Sequence, residues 1–357
     1  MAQAETVAVV RIPWWRSLGP ALITACVVFG PGSLLINSNV GATYGYGLLW
    51  LLALTALLMG TFMTTAARIG VMGGASPCTL IAGRLGRPAA AVIGVNLCLI
   101  CAAFQFSNNL AIAAAFDSLG AKRLFGDPAQ MTVRTKALID TGFLLAFNAL
   151  VIGSIFALRQ VYKVLERAMK IMVAIILVSF LINLLVIRPN LGSILAGLIP
   201  GLPEGLSLAL PKRGETGIVD PMVLVASLLG TTFSVAAAFF QGNLVREKGW
   251  TINDYDRGIG DSITGVAVLA CVSAMIMITS ATLLHGQQTA DITDISVLAT
   301  QLRPLLGPVA GVLFSVGLLA VAMNPFVINS MIGGTVLADG LGKPARMSDS
   351  WPRRFTV

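Results

Sequence analysis

The tetrapeptide Gly30-Pro31-Gly32-Ser33 interrupts an apolar run that extends from about residue 17 to residue 43. Its residue types suit one kind of chemistry. Proline inside a helix removes a backbone hydrogen bond and clashes with the preceding turn, at a cost of ~3 kcal/mol or more. Glycine beside it lowers helix propensity further. In hydrocarbon the freed N–H and C=O groups find no water, so such a break persists only where it is buried in protein or lines a cavity. There it offers bare carbonyls and half-helix ends to an ion or solute near the midplane. The plainer alternative is a proline kink packed against neighbouring helices, with nothing bound.

Three further polar clusters interrupt apolar sequence. Residues 225–244, "VASLLGTTFSVAAAFFQGNL", carry Gly230, Thr231, Thr232 and Ser234 at mid-span, then Gln241 and Asn243. This cluster has no proline, and its hydroxyls can bond the carbonyl three or four residues back, so a break is less strongly expected there. "QFSNN" brings Asn108 and Asn109, and "MNPFVINS" brings Asn324 beside Pro325. Intramembrane amides usually face the bundle interior and bond between helices, so for each of these a structural role competes with a pathway role. Gly30, Ser33, Thr231, Thr232, Ser234 and Gln241 are the candidate substrate-binding residues. Pro31 and Gly32 make the break, and Asn108, Asn109 and Asn324 form a candidate polar pathway.

The elements that must position these residues are membrane helices. The hydrophobic fraction is 56%, only 11% of residues are charged, and mean hydropathy is +0.85, against roughly 25% charged residues in soluble domains. Spans are expected near 17–43 (broken), 47–73, 88–117, 137–158, 164–187, 221–244, 262–284 and 308–335, each long enough to cross about 30 Å of hydrocarbon. No signal peptide is evident in the first residues. With the N-terminus inside, clusters such as Arg68–Arg87, Arg159–Lys170 and Lys343–Arg354 put about 16 of the 24 basic residues in inside segments, as the positive-inside rule requires. That distribution accounts for the net charge of +8 without a nucleic-acid partner. The long connection 188–220, rich in Gly and Pro, is expected to be a lid or interfacial segment rather than a span. The five cysteines read as small buried hydrophobes.

The stretch from Gly30 to Trp50 resembles the first transmembrane helix of the Nramp family of proton-coupled divalent-metal transporters. There Asp-Pro-Gly-Asn is followed, about a dozen residues on, by an Arg/Gln-Tyr-Gly-Tyr-x-Leu-Leu-Trp ending. Here the chain reads Gly30-Pro31-Gly32-Ser33 and then "TYGYGLLW" at the same spacing. "GTTFSVAAAFFQGNLV" looks like that family's sixth helix and "LRPLLGPVAGVLFSVGLLAVAMN" like its eighth. The resemblance implies an all-α integral membrane protein of the LeuT-type inverted-repeat fold, with a discontinuous first helix and a sixth whose break stays open. It implies a first repeat over about 17–187, a partial second over about 221–335, an N-terminal cytoplasmic tail over 1–16 and a C-terminal tail from 336. It stops where a ninth helix should start, which implies a shortened chain. It also implies metal symport by alternating access.

The departures from the family concern its metal ligands. The positions of the family's first-helix Asp and Asn are Gly30 and Ser33, and its sixth-helix Met-Pro-His corresponds to Ser234-Val235-Ala236. A later His corresponds to Gln241. Gly30, Ser33, Thr231 and Ser234 thus stand at metal positions with the ligands largely lost. A thioether selects softer metals, and a carboxylate offsets the dehydration of a dication. Asp117, Asp140 and Glu166 fall near span ends, and the single histidine, His285, reads as a solvated loop residue. A cage of carbonyls and hydroxyls remains possible for a hard cation. Two other solutions stay open: a neutral or zwitterionic organic solute on the same fold, or a non-transporting receptor or scaffold. No enzyme activity and no cofactor are expected. "GIGD" at Gly258–Asp261 matches an intramembrane aspartyl protease motif. However, Asp256 and Asp261 lie five residues apart in one connection and cannot face each other across separate helices. The expected partners are the lipid bilayer and a small cation or solute, with no nucleic acid, a monomeric state and a bacterial-type plasma membrane.

Overall fold

The computed structural model describes residues 30–127, 130–157, 174, 178–214, 217–247, 249–286 and 310–357. The N-terminal tail, the first half of the broken first span, Cys26, Glu166 and the start of the fifth span lie outside the described residues. So do the side chains of Asn324, Asp256 and Asp261.

The first described helix, α1 (Pro31–Tyr44), begins with Gly30 as an extended N-cap and Pro31 in its first turn. Proline suits that position, because its missing N–H would be unbonded anyway and its φ is pre-set. The helix ends at Gly45, which has φ +57°. It is followed by α2 (Leu49–Met72), the short α3 (Pro77–Leu85) and α4 (Arg87–Ser118). A 3-10 turn over Ala121–Phe125 leads to α5 (Val133–Ala157). Next, α6 (Val178–Ile187) and α7 (Leu191–Gly197) meet at a bend of 118°. Asn190 caps α7 by accepting from the N–H groups of Gly192 and Ser193. A small antiparallel hairpin, β1 (Lys212–Gly214) with β2 (Gly217–Val219), precedes α8 (Val223–Thr232) and α9 (Val235–Glu247). The chain continues through α10 (Ile252–Leu283), α11 (Ala310–Gly340) and α12 (Ser350–Thr356).

Among the described residues six helices are long and apolar enough to cross a membrane, or seven if the bent α6–α7 pair is one span. The expected eight included the first span, of which only the 14-residue α1 is described. Three boundaries differ from the sequence expectation. Helix α10 starts ten residues earlier than residue 262, so Asp256 and Asp261 sit in the opening turns of one helix rather than in a connection. Helix α11 runs on to Gly340, and α3 was not anticipated. Connection 188–220 holds the seven-residue α7 and the β1–β2 hairpin.

The outside of the bundle is apolar, as lipid contact demands: Leu57, Leu99, Phe106 and Leu145 are all exposed. The interior is closed by tight helix crossings. A Cβ at Gly41 of α1 would run into the Met277 carbonyl of α10. At the α4–α11 crossing, a Cβ on Gly94 or Gly340 would sit 2.9 or 2.8 Å from the other's Cα. Small residues of this kind let membrane helices approach backbone to backbone. Leu34, Phe180, Ile276 and Leu318 fill one buried cluster around α1.

Candidate functional site

The start of α1 faces the break of the sixth span. The sixth-span break, uncertain from sequence, is real: α8 ends at Thr232, Phe233 is extended (φ −102°, ψ 93°), and α9 restarts at Val235. Ser234 acts as its cap, with Oγ accepting from the Ala237 N–H at 3.2 Å. Ser33 Oγ in the first turn of α1 donates to the Thr231 carbonyl in the last turn of α8 at 3.4 Å. The positive end of one helix dipole therefore lies beside the negative end of another.

A third and a fourth element close on the same point. Gly30 lies against α4 and α11: a Cβ built on it would be 3.4 Å from both Asn108 Oδ1 and Pro325 Cγ. Asn108 donates through Nδ2 to Gln105 Oε1 at 2.8 Å, and Gln105 in turn donates to the Phe326 carbonyl (2.7 Å) and to Ser330 Oγ (2.8 Å). That relay fixes the amide so that its Oδ1 is the atom next to Gly30. The proline inside α11 contributes in a second way, because it removes an N–H from the helix ladder beside the break.

Gly30, Ser33, Asn108 and Thr231 are thus brought together, with Pro31 and Gly32 shaping the entry to α1. Thr232 is buried at the end of α8. The Thr231 hydroxyl itself turns back, donating to the Ser227 carbonyl at 2.9 Å, so this residue offers its carbonyl rather than its side chain. Two expected site residues point elsewhere. Gln241 lies two turns into α9 and donates to Ser262 Oγ of α10 at 3.2 Å. Asn109 faces α5, where its Oδ1 accepts from Asn148 Nδ2 at 2.8 Å. Both are helix-to-helix ties, the alternative weighed for them above.

His285 is exposed in the turn after α10, as expected of a loop residue. It also makes a contact, with Nδ1 2.9 Å from the Ala42 carbonyl in the last turn of α1. A cationic or donating group there suits the helix C-terminus, so the residue anchors the far end of the half-helix whose start forms the site.

Sequence reasoning missed Asn37. It is fully buried one turn after Ser33, its Nδ2 donates to the Ser33 carbonyl, and its Oδ1 has no partner among the described residues. An orphan buried carbonyl costs about 1–3 kcal/mol, which gives the position a polar demand unmet by the described residues. Asp339 was also missed. Its buried carboxylate accepts from Ser76 Oγ, from the Cys78 N–H (3.1 Å) and from Thr79 Oγ1 (3.1 Å). It thereby caps α3 from the end of α11. No sequence signal within either segment marks that pairing.

The donor set at the breaks is neutral oxygen: hydroxyl, amide and main-chain carbonyl. Among the described residues no three His, Cys, Asp or Glu side chains cluster to hold a metal. Oxygens of this kind serve hard cations or the polar groups of an organic solute.

A polytopic helical bundle in which the start of α1 meets the break between α8 and α9 has the architecture of a solute carrier. The chain belongs to the Nramp family: the family model for natural resistance-associated macrophage protein-like proteins matches residues 21–357. It is 26% identical over 332 residues to a divalent metal cation transporter MntH from Deinococcus radiodurans, covering 91% of this chain and 69% of that one. Against the Pectobacterium carotovorum MntH the identity is 25%, over 90% of this chain and 71% of the relative. A mutant of the Eremococcus coleocola manganese transporter superposes with a TM-score of 0.65 at 17% identity, covering 99% of this chain and 70% of that structure. The same transporter in complex with an aromatic bis-isothiourea substituted compound gives 0.63 at 18% identity. The fold is accordingly the LeuT-type one, and the protein is a multi-pass integral membrane protein.

Proposed function

We propose that this chain is a secondary-active transporter of divalent metal cations that works by alternating access at a site without a carboxylate. The observation that carries this reading is the contact between Ser33 Oγ and the Thr231 carbonyl, which joins the two broken helices at one point. Names of the relatives supply the cargo class: divalent metal cations for the MntH proteins and manganese for the solved transporter. In this reading the ion lies between the α1 and α8 ends, held by the Thr231 carbonyl, Ser33 Oγ, Asn108 Oδ1 and retained water. Asn37 Oδ1, one turn away, supplies a further oxygen. With no thioether and no carboxylate, selectivity shifts from softer transition metals toward hard ions. The protein carries out transport rather than catalysis, and its N-terminus faces the cytoplasm of a bacterial-type plasma membrane.

Uptake into proteoliposomes tests this. We expect saturable Mn²⁺ and Mg²⁺ flux, reduced by about tenfold or more in Gly30→Leu, the factor that loss of one ~1.4 kcal/mol interaction carries. No metal flux from folded protein, with flux of a neutral amino acid or amine instead, would move the assignment to the organic-solute reading, which the uncharged donor set also suits.

A further inference from the structure

Helices α2, α3 and α9 line a groove of about 1040 Å³, and Phe62 in its wall packs edge-on at 5.0 Å against Phe233 of the α8–α9 break. The groove follows α2 from Thr61 to Gly73, a rise of about 18 Å at 1.5 Å per residue. That is close to one leaflet of a hydrocarbon core of about 30 Å. Its walls are apolar, with Phe62, Ile69, Leu80 and Phe239 among them. The threonines that line it add little polarity, since Thr61 and Thr65 donate to carbonyls of their own helix at 2.7 Å each. Two charged residues line the groove, Arg68 and Arg84, and no carboxylate does. Both arginines are exposed, and neither has an ion-pair partner among the described residues. The groove therefore combines an apolar trough of leaflet depth with two uncompensated guanidiniums from different helices.

We propose that this groove binds an anionic glycerophospholipid, with an acyl chain along the α2–α9 wall and the phosphate group at Arg68 and Arg84. Charge complementarity selects this occupant: a zwitterionic lipid would match the trough but would meet the arginine pair with no net charge, and arginine suits bidentate recognition of phosphate. Basic pockets between membrane helices on the side rich in Lys and Arg take such headgroups, and the positive-inside count puts both arginines on that side.

The test is native mass spectrometry of the purified chain in neutral detergent with equal amounts of phosphatidylglycerol and phosphatidylcholine. We expect phosphatidylglycerol to be retained in preference, with the preference falling by about fivefold for each arginine removed and vanishing in Arg68→Gln/Arg84→Gln. Both arginines are surface residues, so the double variant should melt as the wild type does. A second variant, Leu80→Trp, fills the trough and should reduce retention of both lipids. Equal retention of the two lipids by the wild type, a preference that survives in the double variant, or no retained lipid would each overturn the proposal. The readout does not involve transport, so its outcome is separable from that of the metal-flux experiment.

Discussion

Gly30 carries no side chain where the resemblance to the family implies a carboxylate, and the space around it is measured by its neighbours. A Cβ there meets Asn108 Oδ1 and Pro325 Cγ at 3.4 Å, ordinary contact rather than a clash. Gly30→Asp should therefore fold, and in equilibrium binding it should tighten Mn²⁺ by about tenfold or more, with affinity falling as pH drops and the new carboxyl protonates. A second residue-scale expectation concerns Asp339. Replacing it with Asn leaves the Ser76, Cys78 and Thr79 donors with a poorer acceptor, a loss of about 1.5–3 kcal/mol for bonds to a charged group. Thermal unfolding should show it directly. Burial, and next the Asp339 charge, push the Cys78 thiol up to about 12. Cys78 should therefore resist alkylation at pH 8 in the wild type and label faster in Asp339→Asn.

At the scale of elements, α1 is held at both ends. Its start rests on α8, α4 and α11, and its end on His285 and, through Tyr46 and Thr282, on α10. Between them the α1–α10 seam closes at Gly41, where any Cβ strikes main chain. Gly41→Val should splay the two helices and cost about 1–3 kcal/mol by overpacking, seen as a lower melting temperature. On the opposite side, Lys122 ties α4 to α5 through Asp117 and Asp140, each at 3.1 Å. Burial works to lower the Lys122 pKa, but the bonds and charges of the two carboxylates outweigh it and the value is raised. A raised lysine stabilises the fold fully below its unfolded value of about 10.4, and that support disappears as pH climbs through the folded value. Lys122→Met should cost about 1 kcal/mol or less near neutral pH, and the difference from wild type should shrink above about pH 10.5.

For the molecule as a whole, the parts legible in sequence are those written in local composition. Apolar length announced the spans, and Gly30-Pro31-Gly32 announced the start of α1, because proline and glycine act on the backbone where they stand. The α8–α9 break was less legible: Phe233 and Ser234 carry no local breaker, and the extended backbone there is sustained by partners such as Ser33, 198 residues away from Thr231. Helix α3 was overlooked because nine residues are too few to register as a span. Asp339 was overlooked because its partners lie some 260 residues earlier in the chain. Asn109 was placed in the pathway on residue type, and Gln241 in the site on its match to a family His, whereas the fold directs them to Asn148 and Ser262.

The most direct test of the proposed carboxylate-free site is equilibrium binding of radioactive Mn²⁺, with Mg²⁺ as competitor, to wild type, Ser33→Ala and Gly30→Leu. We predict saturable binding near 10⁻⁴–10⁻³ M, roughly the range of weakly charged oxygen sites, competed by Mg²⁺, weakened in Ser33→Ala and abolished in Gly30→Leu. Absence of saturable binding to folded protein, or binding that both variants leave unchanged, would contradict the assignment of the dication to the meeting point of the two broken helices.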